Sequence, residues 1–200
     1  MCGGTKIDVE KECEIGGTLL RFLSPDEAYK LYLTSRGAAF SDGAVYEEGG
    51  KIIAQLKEGE SAALCGKTLF TPRPCPAPVL KRVGKMRLKY NSYMFSFGKR
   101  AYYKLTLPKV SDCDDMEITL AFGGLNLQMF CRGKIVDDCF NTNGFYTFRL
   151  SGVGRHDEYV IRVCAPTSFG GGNVYNEISL TPGNTFLAVH SFKRIKEVCI

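Results

Sequence analysis

The sequence predicts a mainly β protein, an antiparallel β-sandwich over residues 81–200 preceded by a small α+β segment. Three observations carry that expectation. From Tyr102 onward, apolar residues recur every second position in one segment after another, the spacing that sends alternate side chains to one face of a sheet. Glycine, proline and asparagine punctuate these segments at turn positions. Finally, Thr71-Pro72-Arg73-Pro74-Cys75-Pro76-Ala77-Pro78 alternates prolines. Each proline fixes φ and removes a backbone donor, which forces an extended course. The reading is therefore an accessory segment at 1–70, a proline-rich linker at 71–80 and a sandwich at 81–200.

The accessory segment is mixed. Leu19–Leu23 is a short apolar run and reads as a strand. Ser24-Pro25-Asp26-Glu27 has the residues of a helix start: a serine cap, proline at the first helical position and a glutamate completing the capping box. The expectation is a helix through Ala28–Leu33, with Tyr29 and either Tyr32 or Leu33 on one face. Val45-Tyr46, Glu47-Glu48-Gly49-Gly50 and Lys51-Ile52-Ile53 read as a hairpin, and Ser61–Leu64 as a last strand.

In the larger part the period of two is explicit. Tyr103, Leu105 and Leu107 alternate with Tyr102, Lys104 and Thr106. Ile118, Leu120 and Phe122 follow, then Leu127, Met129 and Cys131, then Tyr146, Phe148 and Leu150, then Tyr159, Ile161 and Val163. The closing stretch sets Leu187, Val189 and Ser191 against Phe186, Ala188 and His190. Seven or eight short strands without a helix signal indicate a sandwich. Gly170-Gly171-Gly172 lacks the Lys-Ser/Thr end of a phosphate-binding loop and reads as a surface loop.

Composition narrows the function classes. The 200 residues are 44% hydrophobic and 24% charged, with a net charge of +5, as in ordinary globular proteins. The densest basic run, Lys81, Arg82, Lys85, Arg87 and Lys89, accompanies no nucleic-acid motif and reads as a solvated strand or linker, so no nucleic-acid partner is expected. No segment approaches the ~18 consecutive apolar residues of a membrane span, so no membrane partner is expected. The start, Met1-Cys2-Gly3-Gly4-Thr5-Lys6, lacks the apolar core of a secretion signal. The expectation is a cytoplasmic protein or a piece of a longer chain. The nine cysteines are odd in number and none are separated by two residues, which argues for free thiols over disulfides or zinc. Cys131 and Cys164 sit in apolar strand patterns and read as small core residues.

The stretch Arg100–Ala165 carries a more specific pattern. A tyrosine strand ending in proline (Tyr102 to Pro108) precedes a strand ending in Phe122-Gly123-Gly124. The hairpin of Arg132-Gly133-Lys134 follows, and then Asn143-Gly144-Phe145-Tyr146-Thr147-Phe148. This order resembles the sugar-binding, galactose-binding-like jelly roll of β-galactosidases and β-glucuronidases. Here Arg132 replaces the family's hairpin Asn, Asn143-Gly144 its Gly-Gly pair, and Tyr103 and Met129 its tryptophans. Physically, Gly123-Gly124 suits a positive-φ turn after a buried strand, Gly133 a tight hairpin, and Phe145 to Phe148 return aromatic mass to the core. The resemblance implies a jelly-roll β-sandwich that accompanies a glycoside hydrolase catalytic domain.

No catalytic residues are expected. Glycoside hydrolysis needs two carboxylates across the scissile bond, whereas Asp112-Cys113-Asp114-Asp115 and Asp137-Asp138 fall at turns. His156 lies in a polar turn with no nucleophile elbow. No cofactor is expected, although Asp112, Asp114 and Asp115 would supply oxygens to a structural calcium. For a ligand the candidates are Arg132, Asn141, Asn143 and Tyr146, an aromatic and polar group near the hairpin that would hold a sugar, with Tyr146 as core and the asparagines as turn formers the alternative. The expected function is a non-catalytic carbohydrate-binding or accessory region of a glycoside hydrolase. The alternative is a structural domain-packing module without sugar affinity. A binding module should expose an aromatic ring at a loop end near Asn143.

Overall fold

In a computed structural model the chain is mainly β, with antiparallel sheets and, among the described residues, two short helices. The structure describes residues 12–15, 18–21, 23–64, 66–84, 98–140, 144–166 and 185–200. It divides into two units, Met1–Thr71 with Glu197–Ile200, and Pro72–Lys196.

In the first unit β1 (Glu12–Ile15) pairs with β2 (Thr18–Arg21). Helix α1 spans only Pro25–Ala28. Its capping box forms as the sequence suggests: Ser24 Oγ accepts from Glu27 N, and Ser24 N donates to Glu27 Oε2 at 2.9 Å. The helix nevertheless stops after one turn. Leu31–Thr34, of which Leu31 to Leu33 are expected to be helical, is strand β3, paired with β4 (Gly37–Ser41). The reason is the partner strand. Gly37 adopts φ +126°, Thr34 Oγ1 donates to its carbonyl at 2.6 Å, and the four ladder positions outweigh local helix preference. A helix would also have gained little, because Tyr29 and Leu33 are 86% and 87% exposed. β7 (Ser61–Ala63) and β8 (Lys67–Leu69) complete the sheet β3-β4-β7-β8.

β5 (Ala44–Glu48) and β6 (Lys51–Lys57) form the expected hairpin. Gly49 and Gly50 both adopt positive φ, +57° and +74°, the geometry of a two-residue turn that matches strand twist. The burial of Ile52, Ala54 and Leu56 on alternate positions follows the period of two. The chain's last residues belong here: Ile200 N donates to Ile52 O and Gln55 Nε2 to Glu197 Oε1, both at 3.0 Å.

The second unit begins with the proline-rich segment, which is tied down on this unit. Arg73 N donates to Asp112 Oδ2 at 2.9 Å, Arg73 O accepts from the Arg194 guanidinium, and Pro78 is buried. β9 (Val79–Val83) then enters a five-stranded antiparallel sheet, in the order β13-β12-β15-β10-β9. Its other members are β10 (Gly98–Thr106), β12 (Asn126–Cys131), β13 (Lys134–Phe140) and β15 (Glu158–Pro166). Lys81 and Arg82 of the basic run lie on β9, whereas Lys85, Arg87 and Lys89 fall outside the described residues. So does the Gly170-Gly171-Gly172 loop.

The unit's other sheet runs β14-β11-β16, from β14 (Phe145–Arg149), β11 (Asp115–Gly123) and the Phe186–Lys196 part of β16 (Phe186–Cys199). Both sheets turn a buried apolar face inward. Ile118, Leu120 and Phe122 do so on β11, and Leu105, Leu127, Met129, Ile161 and Val163 on the larger sheet. Full burial of each such side chain is worth ~1.5–3 kcal/mol. Phe148 of β14 meets Tyr159 of β15 edge to face, with centroids 6.4 Å apart. The arrangement is consistent with a β-sandwich. Helix α2 (Leu150–Val153), with no signal in the sequence reading, is one turn that buries Leu150 and Val153.

Candidate functional site

Arg132 sits at the tip of the β12–β13 hairpin with φ +48°, followed by Gly133 at +77°. Its side chain is exposed. Asn141 and Asn143 lie outside the described residues. Tyr146 points inward: it is buried, stacks on Phe148 at 5.5 Å, and donates its hydroxyl hydrogen bond to Asp137 Oδ2. Burial first, and then the Asp137 carboxylate, raise its phenol well above the ordinary value. Asp137 pairs with Met129 within the β12–β13 ladder, whereas Arg132 lies in the turn at its tip. Arg132 is thus exposed at the hairpin tip while Tyr146 is buried.

A different set of side chains converges on the outward face of β14-β11-β16. On β14, Phe145, Thr147 and Arg149 alternate with the buried Tyr146 and Phe148. The aromatic mass of this segment is thus split: Tyr146 and Phe148 enter the core, while Phe145 is 45% exposed. Ladder pairing then sets the rows of the face. Phe145 and Ala188 flank Ala121, Thr147 and Ser191 flank Thr119, and Arg149 and Lys193 flank Glu117. Phe186, 47% exposed, pairs with Gly123. Its ring covers Gly123 so closely that a Cβ there would overlap it.

A bulge completes the arrangement. The register shifts between Thr119 and Leu120, which pair with Ser191 and Val189 and leave His190 unpaired in the ladder. His190 meets the Phe145 ring edge to face, with centroids 4.8 Å apart. Beyond the bulge Ser191 shares a face with Thr119 and no longer follows Val189, a phase change that strict alternation does not anticipate.

The face is therefore graded. One end has Phe145, Phe186 and His190 around the small residues Ala121, Gly123 and Ala188. The middle is hydroxylic, with Thr119 Oγ1 and Thr147 Oγ1 2.9 Å apart. The far end is charged, with Arg149 Nε 3.5 Å from Glu117 Oε2. From Gly123 to Glu117 is about 20 Å at ~3.3 Å per residue. Rings standing over small residues form a flat apolar floor, and polar groups beside it can take hydroxyl hydrogen bonds. None of Phe145, Phe186 or His190 was singled out from the sequence for a ligand. Their signal was the alternation itself, which puts Phe145 opposite Tyr146 and Phe186 opposite Leu187.

The carboxylates considered for calcium are used separately. Asp112 serves Arg73 N and Arg194, Asp114 lies 3.4 Å from Lys196 Nζ, and Asp115 accepts from Ser151 N at 3.1 Å and from Ser151 Oγ at 2.6 Å. Among the described residues no group of three or more His, Cys, Asp or Glu is gathered to hold a metal ion. Cys75, Cys113, Cys131, Cys139, Cys164 and Cys199 are free thiols. No described helix is long and apolar enough to cross a membrane. No protein-family model, curated protein or solved structure matches the chain.

Proposed function

We propose that the chain is a non-catalytic carbohydrate-binding or accessory module of the glycoside hydrolase type, and that glycan lies on the outward face of β14-β11-β16. The observation that carries this reading is the pair of half-exposed rings, Phe145 and Phe186, standing over Ala121, Gly123 and Ala188. Isolated exposed apolar residues are ordinary on a protein surface. Two phenylalanines and a histidine gathered on one flat sheet face, beside a row of hydroxyls, form the floor that the apolar side of a pyranose stacks on. Phe145 follows Asn143 by two residues, where a sugar-binding sandwich is expected to expose a ring.

The jelly-roll assignment is part of the same proposal. The connections β10 to β11, β11 to β12, β13 to β14, β14 to β15 and β15 to β16 each pass from one sheet of the second unit to the other, which supports the likeness to galactose-binding-like domains. Of the residues first considered for a ligand, Arg132 stands exposed at the tip of the β12–β13 hairpin in the other sheet and Tyr146 is a core residue behind Phe145, while Asn141 and Asn143 lie outside the described residues.

The test is a glycan array including β-galactosides and glucuronides, run on the full chain with Phe145→Ala and Phe186→Ala. Binding that falls at least tenfold in both variants, with unchanged melting temperature, supports the site. Binding unaffected by either variant removes this face from consideration. No binding to any glycan by the folded protein rejects the carbohydrate reading and leaves a packing module as the better account.

A further inference from the structure

A second site, separate from the aromatic face, lies where the proline-rich segment crosses the loop between β10 and β11. Here a cleft of about 420 Å³ is lined by Arg73, Cys75, Lys109, Ser111, Asp112 and Arg194, among others. Three cations face one carboxylate, a net charge of +2. We propose that this cleft binds an oxyanion, a phosphate or sulfate group.

The case rests on how the floor is built. Arg194 comes from β16, and its side chain is 4% exposed. A buried guanidinium is costly unless its position is fixed and its donors are used. One nitrogen, Nη1, donates to Arg73 O and lies 3.7 Å from Asp112 Oδ2. The same Asp112 oxygen accepts from Arg73 N at 2.9 Å. The carboxylate thus clamps both the backbone of the proline-rich segment and the guanidinium, and it can neutralise only one of the three cations. Pro74 lines this wall, and it and the neighbouring Pro72 and Pro76 fix φ along the segment, so little ordering is needed when a ligand enters. Arg73 and Lys109 are exposed at the cleft. A concave site with excess positive charge concentrates anions, and the planar guanidinium fork suits phosphate and sulfate oxygens. The Ser111 hydroxyl supplies a further donor in the lining. Solvated surface cations account for Arg73 and Lys109 taken singly, but not for the buried Arg194 held between a carbonyl and a carboxylate at the same place.

The experiment is isothermal titration of the full chain with inorganic phosphate and, separately, with inorganic sulfate, against chloride and acetate at matched ionic strength. Lys109→Glu and Arg73→Ala change exposed side chains and should leave the fold intact by circular dichroism. Arg194→Lys keeps the charge and removes the fork. Saturable binding of phosphate or sulfate, weakened at least tenfold in Lys109→Glu and also weakened in Arg73→Ala and Arg194→Lys, is the expected result. No saturable heat, an equal response to acetate or chloride, or an affinity unchanged in the folded Lys109→Glu and Arg73→Ala variants overturns the proposal. Because none of these residues lies on the aromatic face, the outcome is independent of the glycan array.

Discussion

Gly123 and Gly124 follow one another at the end of β11, and replacing each by alanine should have very different consequences. Gly124 adopts φ +141°, and a Cβ there would stand 2.6 Å from Val163 Cγ1 and 2.9 Å from Cys164 O. Neither neighbour can yield easily. Val163 is fully buried, and Cys164 O already accepts a hydrogen bond from Leu125 N at 2.8 Å. A sparsely populated backbone conformation costs ~1–3 kcal/mol, and overpacking a core contact costs another ~1–3 kcal/mol. The two costs overlap where the backbone relaxes, so Gly124→Ala should destabilise by about 3–5 kcal/mol. Gly123 is extended, and the atoms its Cβ would meet belong to the half-exposed ring of Phe186, which can swing into solvent. Gly123→Ala should therefore cost less than ~1 kcal/mol, because the added methyl also reduces the entropy of the unfolded chain. At ~2–4 °C per kcal/mol for a chain of this size, Gly124→Ala should lower the melting temperature by about 6–20 °C and Gly123→Ala by less than about 4 °C. Thermal melts followed by circular dichroism, with urea midpoints as a check, measure both. Gly124→Ala melting within about 2 °C of the parent would refute the steric argument. Equal losses in the two variants would refute the distinction between a core contact and a movable ring. The glycan proposal adds a second readout: Gly123→Ala displaces Phe186 and should weaken glycan binding while leaving stability nearly intact.

Three further outcomes follow from buried polar groups. Tyr146→Phe removes the hydrogen bond to the half-buried Asp137 carboxylate and should cost about 1–2 kcal/mol in urea unfolding, near the lower end for a bond to a charged group; a change below ~0.3 kcal/mol would show the bond to be replaced by water. Burial raises the phenols of Tyr146 and Tyr159 above their ordinary value. The unfolded chain then loses these protons at ~10 while the folded chain keeps them, so the tyrosine contribution should be level below about pH 10 and fall above it, steepening a decline that the buried thiols begin near ~8.5. Urea midpoints compared at about pH 9 and about pH 11 check the sign, and a rise in stability would contradict it. Burial likewise pushes the Cys139 thiol up to about 12 and raises Cys113 and Cys164. At about pH 8, iodoacetamide should therefore label exposed Cys199 well before these three, as read by peptide mass mapping; early labelling of Cys139 or Cys164 would refute their placement.

The fold was legible where the physics is local. Alternation placed Ile118, Leu120, Phe122, Leu127, Met129, Tyr159, Ile161 and Val163 in the core, and each is buried. The Gly49-Gly50 turn was also readable, because two positive-φ positions between apolar runs have few other uses. What was not legible depended on partners distant in sequence. The capping box at Ser24 was correct, yet it could not reveal that Leu31–Thr34 would be claimed by β4. The prolines at 72 to 78 read as a linker because their local effect is extension. Only the arrival of Asp112 and Arg194 turns that extended segment into the wall of a cleft. Arg194 itself, beside Lys193 and two residues before Lys196, reads as one more solvated cation. Its burial comes from the phase of β16 after the His190 bulge, which no period-two count through that strand contains.

The aromatic face shows the same limit from the other side. Aromatic residues in a strand are read as core material because burying them is so favourable, and on that basis the whole run Phe145 to Phe148 was assigned inward. The alternation that placed Tyr146 and Phe148 correctly already requires Phe145 to face outward, and that which buries Leu187 requires the same of Phe186. Their exposure is thus imposed by the strands that form the core, whatever the outward face is used for. Use shows in what surrounds the rings. Ala121, Gly123 and Ala188 are the positions where larger side chains could have packed against Phe145 and Phe186 and hidden them. All three are small, and the Phe186 ring lies directly on Gly123, so both rings stay half-exposed in an order that a flat apolar ligand could meet. A substitution that fills the floor, Ala121→Leu, should accordingly stabilise the chain slightly by covering Phe145 while abolishing glycan binding. Thermal melts and the glycan array together read both effects, and binding retained in a folded Ala121→Leu chain would show that the face is not the site.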